Sequence, residues 1–251
     1  MLLIVGDSLT SGHIGIGFSQ YLTAPPSKQI TLRGIDGDTM LGVTTRALRY
    51  VHNKKMAHTL DALIIECGGN DVLLPSLLRS GHMAWEDTGK ALIREDSRPI
   101  DNPVVFGKRY RERLIPIVAQ CRILALPTTH IALTTISPLG ENPNTPLQQL
   151  RTQYNDQIRS ITKEMHLSLI DFDSAGLLDN DSAPPHYFID NPNNFTRDAL
   201  HIQQNPVLAD RVSAERGLHT TIDGIHFNSI GARKAAAACS SFINHIGYFP
   251  S

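Results

Sequence analysis

Five short apolar runs recur along this chain, at residues 2–5, 29–32, 62–67, 130–136 and 167–172, with segments of helical periodicity between them. Runs that are apolar on both sides need cover on both faces, and this predicts a parallel sheet between helical layers rather than an antiparallel sheet with one wet face. The intervening segments supply the cover. Residues 39–51 place Leu41, Thr44, Leu48 and Val51 at helical spacing. Residues 104–126 read as a long helix that Pro116 is expected to kink or break. Residues 147–165 align Leu150, Tyr154, Ile158 and Ile161 on one stripe, and Asn228 or Ser229 caps a last helix running through four alanines to about residue 246. The alternation predicts a doubly wound, three-layer α/β sandwich forming one domain over residues 1–251.

Two stretches exceed a minimal connection, residues 72–103, with Trp85, and residues 174–221, rich in Pro, Asn, Asp and His. Insertions of this length serve as lids or binding loops, or as surface decoration. Composition excludes several classes of function. Lys+Arg 23 against Asp+Glu 24 leaves a net charge of −1 and no basic field for nucleic acid. No apolar run approaches the roughly 20 residues needed to span a bilayer. No basic segment precedes Leu2, and Gly6-Asp7 ends the first apolar run, so the expected location is cytoplasmic. Cys67, Cys121 and Cys239 make no disulfide framework and read as small buried hydrophobes.

In an open parallel sheet, ligands bind beyond the carboxyl ends of the strands. Chemistry-bearing residues collect there. Gly6-Asp7-Ser8-Leu9 follows the first run, Gly37 the second, Gly68-Gly69-Asn70-Asp71 the third, and Asp223-Gly224-Ile225-His226 follows the second insertion. A serine hydroxyl is a poor nucleophile until a base takes its proton, which makes Ser8 the candidate nucleophile and His226 the base. Asp223, three residues earlier, can orient and charge-stabilise the imidazole. The Asn70 amide and the backbone N–H groups of Gly37 and Ser8 are candidate donors to an oxyanion. Taken singly, each motif is weak: a lone Gly-Asp-Ser is usually a turn, and Gly-Gly-Asn-Asp is good turn chemistry. Their conjunction carries the reading.

Gly-Asp-Ser-Leu, Gly-Asp-Thr at residues 37–39, Gly-Gly-Asn-Asp and Asp-Gly-Ile-His-Phe-Asn resemble, in order, the four sequence blocks of the SGNH hydrolases, the GDSL esterase/lipase family. The resemblance covers residues 6 to 228. It implies a flavodoxin-like five-stranded sheet and a serine esterase acting on esters or thioesters without metal or organic cofactor. It makes Ser8 the nucleophile, His226 the base and Asp223 its partner, with Ser8, Gly37 and Asn70 as oxyanion donors. The second block departs from the pattern, so Gly34 rivals Gly37. Short-chain acyl esters are the default substrate, since no long hydrophobic lid helix is evident. A carbohydrate O-acetylesterase or an acyltransferase of the same fold is the alternative, and a catalytically silent carbohydrate- or acyl-binding module a more distant one. Oligomeric state stays open.

Other signals carry less. Gly12-x-x-Gly15-x-Gly17 lacks the dinucleotide-binding spacing. The nucleophile is outside Gly-x-Ser-x-Gly, which argues against the ordinary α/β-hydrolase elbow. Eleven histidines without His-Glu-x-x-His or Cys-x-x-Cys spacing suggest no metal site. Apart from His226 they read as surface or capping residues, His58 included, with His13 the one that could reach a pocket near Ser8.

Overall fold

The apolar runs pair into one five-stranded, all-parallel sheet: β1 (Leu2–Gly6), β2 (Ile30–Gly34), β3 (Ala62–Ile65), β4 (Ile131–Thr134) and β5 (Ser168–Ile170), in spatial order β2-β1-β3-β4-β5. This computed structural model describes residues 1–22, 28–53, 59–178 and 180–247; His58 lies outside them. The expected α/β class and strand count hold. The third strand is shorter than its apolar run: pairing with β1 stops at Ile65, and Glu66 adds only its N–H bond to the Val5 carbonyl at 2.9 Å.

Side-chain alternation along β1 explains the two cores. Leu3 and Val5 face one helical layer; Leu2 and Ile4 face the other. The first layer consists of α2 (Met40–His52), α5 (Pro103–Ile123) and α6 (Pro146–Glu164), which bury Val43, Ala47, Leu114, Ile117, Tyr154 and Ile158. The second is dominated by α10 (Ser229–His245), whose Ala232, Ala235 and Ala236 let the helix approach the sheet closely. Asn228 caps α10, its Oδ1 accepting from the N–H groups of Ile230 and Gly231 at 2.9 and 3.0 Å. Contrary to the expected break, α5 runs through Pro116. The proline is exposed, so the Glu112 carbonyl it leaves unpaired is on the solvent side, where water can satisfy it. Among the described residues no helix is long and apolar enough to cross a membrane.

The insertions carry helices of their own. The first holds most of α3 (Gly69–Leu78) and all of α4 (Met83–Leu92); the second holds α7 (Tyr187–Asp190), α8 (Pro192–His201) and α9 (Pro206–Glu215). The chain leaves β1 toward β2 on one side and continues with β3 on the other. The topological switch point therefore lies between the carboxyl ends of β1 and β3, where such sheets bind ligands.

Asp71 joins these parts. Thr39, the N-cap of α2, makes no side-chain cap, and the Met40 N–H instead donates to Asp71 Oδ2 at 2.8 Å, while the Ile100 N–H donates to Asp71 Oδ1 at 3.0 Å. Asp71→Ala would leave two backbone donors without acceptors. It is expected to lower unfolding free energy by roughly 2–4 kcal/mol in urea titrations, and a change below about 0.5 kcal/mol would show that water replaces the carboxylate.

Candidate active site

Ser8 opens the four-residue helix α1 (Ser8–Ser11) directly after β1, and Asp7 caps it, its Oδ1 accepting from the Leu9 N–H at 3.0 Å. Asn70 lies in the first turn of α3, just beyond β3. Gly37 occupies the turn after β2 with φ +72°, and a Cβ there would stand 2.7 Å from Leu92 Cδ2, so neither the backbone nor the packing admits a side chain. Ser8, Gly37, Asn70 and His226 all line one cleft. Gly34, the rival to Gly37, is paired with Gly6 at the end of β2 and is not in the cleft lining.

His226 Nε2 is 3.1 Å from Ser8 Oγ, and His226 Nδ1 is 2.7 Å from Asp223 Oδ2. The second Asp223 oxygen accepts from the backbone N–H groups of Ile225 and His226 at 2.9 and 2.8 Å. The three side chains sit in series, nearly buried, although 215 residues separate Ser8 from Asp223. Burial disfavours the imidazolium, but the charge and hydrogen bond of Asp223 outweigh it, and the His226 pKa is raised above 6.5. Burial likewise disfavours the Asp223 carboxylate; the charge and hydrogen bond of His226, with the two backbone donors, hold it below its ordinary range. An imidazole so placed can take a proton from the serine hydroxyl and keep the resulting positive charge beside a carboxylate.

The expected donors Gly37 and Asn70 share the cleft lining with Ser8. The backbone N–H groups of Ser8 and Gly37 donate to no other group among the described residues. The Asn70 amide differs from expectation. Its Nδ2 donates to the Asp38 carbonyl at 2.9 Å and to Asp7 Oδ2 at 3.2 Å, so both its hydrogens already have acceptors. Asp38 is in turn fixed by Arg46, by Arg94 at 2.5 Å and by Ser97 at 2.6 Å. Behind the serine, Glu66 Oε2 accepts from the Asp7 N–H at 3.1 Å and from the Thr10 hydroxyl at 3.0 Å. Burial, reinforced by the Glu66 charge, pushes the Asp7 carboxyl well above its usual range, and burial pushes Glu66 up as well.

The sequence reading assigned no role to three groups. Glu141, after β4, is buried and accepts from the backbone N–H groups of His219, Thr220 and Thr221 at 2.6, 2.7 and 2.7 Å, from the hydroxyls of Thr220 and Thr221 at 3.1 and 2.7 Å, and from the Asn180 amide at 3.1 Å. It anchors the segment that leads into Asp223. Trp85, from the first insertion, stacks on Phe188 of the second at 4.8 Å between ring centroids and donates its indole N–H to the Ile189 carbonyl at 2.7 Å. Glu66 is the third. Only the charge of Glu66 inside an apolar run was a visible signal; the others depend on contacts across 80 and 104 residues. His13 is exposed, outside the cleft lining, and pairs with Asp36 at 3.1 Å. No cluster of His, Cys, Asp and Glu among the described residues is arranged to hold a metal ion.

These blocks and this fold define a class. The sequence profile of the GDSL-like lipase/acylhydrolase family matches residues 4–234, and the chain belongs to that family. It is thus a carboxylic ester hydrolase with the SGNH hydrolase fold. No curated protein sequence matches it. Among solved structures it is similar to an acetylxylan esterase from Geobacillus stearothermophilus (20% identity, 100% of this chain and 96% of that one, TM-score 0.55). It is also similar to a GDSL-like lipase from Bacteroides thetaiotaomicron (13% identity, 97% and 87%, TM-score 0.54) and to a lipolytic G-D-S-L family protein from Veillonella parvula (13% identity, 96% and 96%, TM-score 0.52).

Removing the anchor of the histidine segment should be costly. Glu141→Ala is expected to destabilise the protein by roughly 3 kcal/mol or more, because several buried donors lose their acceptor. Hydrogen exchange should accelerate at Thr220 and Thr221; unchanged protection there would mean that the segment holds its shape without the carboxylate.

Proposed function

We propose that the protein is a serine esterase that cleaves carboxylic esters through an acyl-serine intermediate, with Ser8 as nucleophile, His226 as general base and acid, and Asp223 as its orienting partner. The carrying observation is the unbroken series Asp223–His226–Ser8, at 2.7 and 3.1 Å, whose Ser8 and His226 line the cleft. His226 takes the Ser8 proton as Oγ attacks the carbonyl carbon. Negative charge then gathers on the carbonyl oxygen, within reach of the Ser8 and Gly37 backbone N–H groups and the Asn70 amide. His226 returns the proton to the departing alcohol, and a water activated by the same imidazole frees the acid. No step requires a cofactor. The N–H groups of Ser8 and Gly37, unengaged by protein, support these two as donors; Gly34, paired at a strand end, is the weaker candidate. The names of some structural relatives suggest glycan deacetylation, and an acyltransferase would share the acyl-serine intermediate; transfer products with added alcohols would reveal the latter.

Ser8→Ala is expected to reduce turnover of p-nitrophenyl esters about 10⁴-fold or more and to abolish labelling by an organophosphate, read by mass spectrometry. Near-wild-type turnover would remove Ser8 from the mechanism. Asn70→Ala should cost on the order of 10²–10³ in kcat, and a loss below threefold would assign the amide to structure alone.

The pH profile follows from the Asp223–His226 pair. The base works only when neutral, and its pKa is raised, so kcat/KM should climb with pH through a midpoint above 6.5. Asp223→Asn removes the charge that raises it, leaving burial to pull the other way. The midpoint should move to lower pH while kcat falls on the order of 10⁴-fold. A midpoint that stays put in Asp223→Asn would show that another group titrates.

A further inference from the structure

The face of α3 that carries Asn70 continues as a track of leucines. Asn70, Leu73, Leu74 and Leu77 recur at spacings of three and four, share one side of the helix, and all line the cleft. At 1.5 Å of rise per residue, this track leads about 10 Å away from the amide. Facing it are Trp85 and Leu92 from the first insertion and Phe188 and Phe195 from the second. The Trp85–Phe188 stack and the indole bond to Ile189 clasp the two insertions, and Phe195 meets Trp85 edge-on at 5.9 Å. That bond also uses up the one donor the indole has.

Polarity in the cleft is one-sided. Its charged and amide side chains are Asp7, Asp36, Glu66, Asn70 and His226, all outside the leucine track except Asn70 at its start, while the other lining side chains are leucine, isoleucine and aromatic rings apart from the hydroxyls of Ser8 and Ser137. A sugar in that region would bury hydroxyl groups without partners, which costs more than apolar contact returns. A hydrocarbon chain meets no such penalty, and each methylene removed from water is favourable.

We propose that this chamber, walled by α3 and roofed by the clasp between the insertions, holds the hydrocarbon chain of the acyl group and makes acyl chains of about six to eight carbons better substrates than acetyl. An extended chain advances about 1.2 Å per bond, so about 10 Å of track accommodates about eight bonds. With the ester carbonyl oxygen toward Asn70, the chain that begins at the same carbon follows the leucines. The inference rests on the esterase reading above and adds the substrate class.

The test compares kcat/KM for p-nitrophenyl acetate, butyrate, hexanoate, octanoate and palmitate, and for acetates of alcohols of increasing length. Each preparation is also titrated with diethyl p-nitrophenyl phosphate to count reactive serines. The expected result is a rise of about tenfold or more from acetate to hexanoate or octanoate, a fall toward palmitate, and no comparable rise in the alcohol series. Leu77→Trp, filling the far end of the track, should lower the octanoate-to-acetate ratio about tenfold, and Leu77→Ala should move the optimum to longer chains. Trp85→Phe, which keeps the stack but deletes the bond to Ile189, should flatten the profile. Full labelling with an optimum at acetate, or with a rise only in the alcohol series, overturns the acyl chamber while leaving the serine mechanism intact. Absence of labelling overturns the serine mechanism and the chamber with it.

Discussion

The buried carboxylate of Glu141 determines where the histidine of this site can stand. Ser8 and Asn70 are delivered by adjacent strands, whose ladder fixes their separation. His226 has no such support: the isolated bridge from Thr221 to Phe227 closes its own segment into a turn and ties it to no strand of the sheet. What holds that segment is a cage of donors closing on Glu141, with charge-assisted bonds stronger than neutral ones. The neighbouring Gly140 N–H adds a bond to the Gly224 carbonyl at 2.6 Å. On the other side, the Ile16 N–H donates to the Phe227 carbonyl at 2.8 Å, an approach possible because Gly15 has no Cβ to obstruct that carbonyl. The histidine turn is thus strapped to the loops after both β4 and α1, and the distance from His226 to Ser8 follows from those straps.

Fold class and the residues that meet at the cleft were legible because they rest on local signals. Apolar runs report strands buried on both faces, and glycine-rich blocks at their ends report tight turns at the carboxyl edge. Where the sequence misled, a local rule met a permissive context: Pro116 removes a helical hydrogen bond, yet it does so on the exposed side of α5, while Leu114, Ile117 and Val118 on the other side pack into the core. What stayed hidden depends on pairs distant in sequence. Glu141 resembles any loop glutamate until its partners at 219–221 are placed, and Trp85 resembles a stray aromatic until Phe188 and Ile189 arrive from the other insertion. Neither contact has a period or a motif.

Both insertions connect to the core by polar bonds as well as by rings. Ser97 and Arg94 of the first insertion bond Asp38, whose carbonyl holds the Asn70 amide, and Asp71 binds the Ile100 N–H. In the second, Arg216 bonds both oxygens of Asp198 at 2.6 and 2.8 Å and the Ile222 carbonyl at 2.6 Å, next to Asp223. Substitutions within an insertion can therefore reach Asn70 and Asp223 through these bonds. The same coupling keeps the aromatic roof in register with the floor beneath it.

On the proposed mechanism, the resting bonds of Asn70 have a consequence for selectivity between ground state and transition state. One amide hydrogen is committed to Asp38, which two arginines and a serine immobilise. The other makes the longer contact, 3.2 Å, to Asp7 Oδ2. That contact is long, so an ester carbonyl that displaces it gains the ground state little. An oxyanion is a far stronger acceptor and takes the hydrogen outright. The donor is then satisfied at rest, avoiding the cost of a bare buried N–H, and its stabilisation is released only as charge develops. An interaction stronger in the transition state than in the ground state is what raises kcat rather than merely lowering KM.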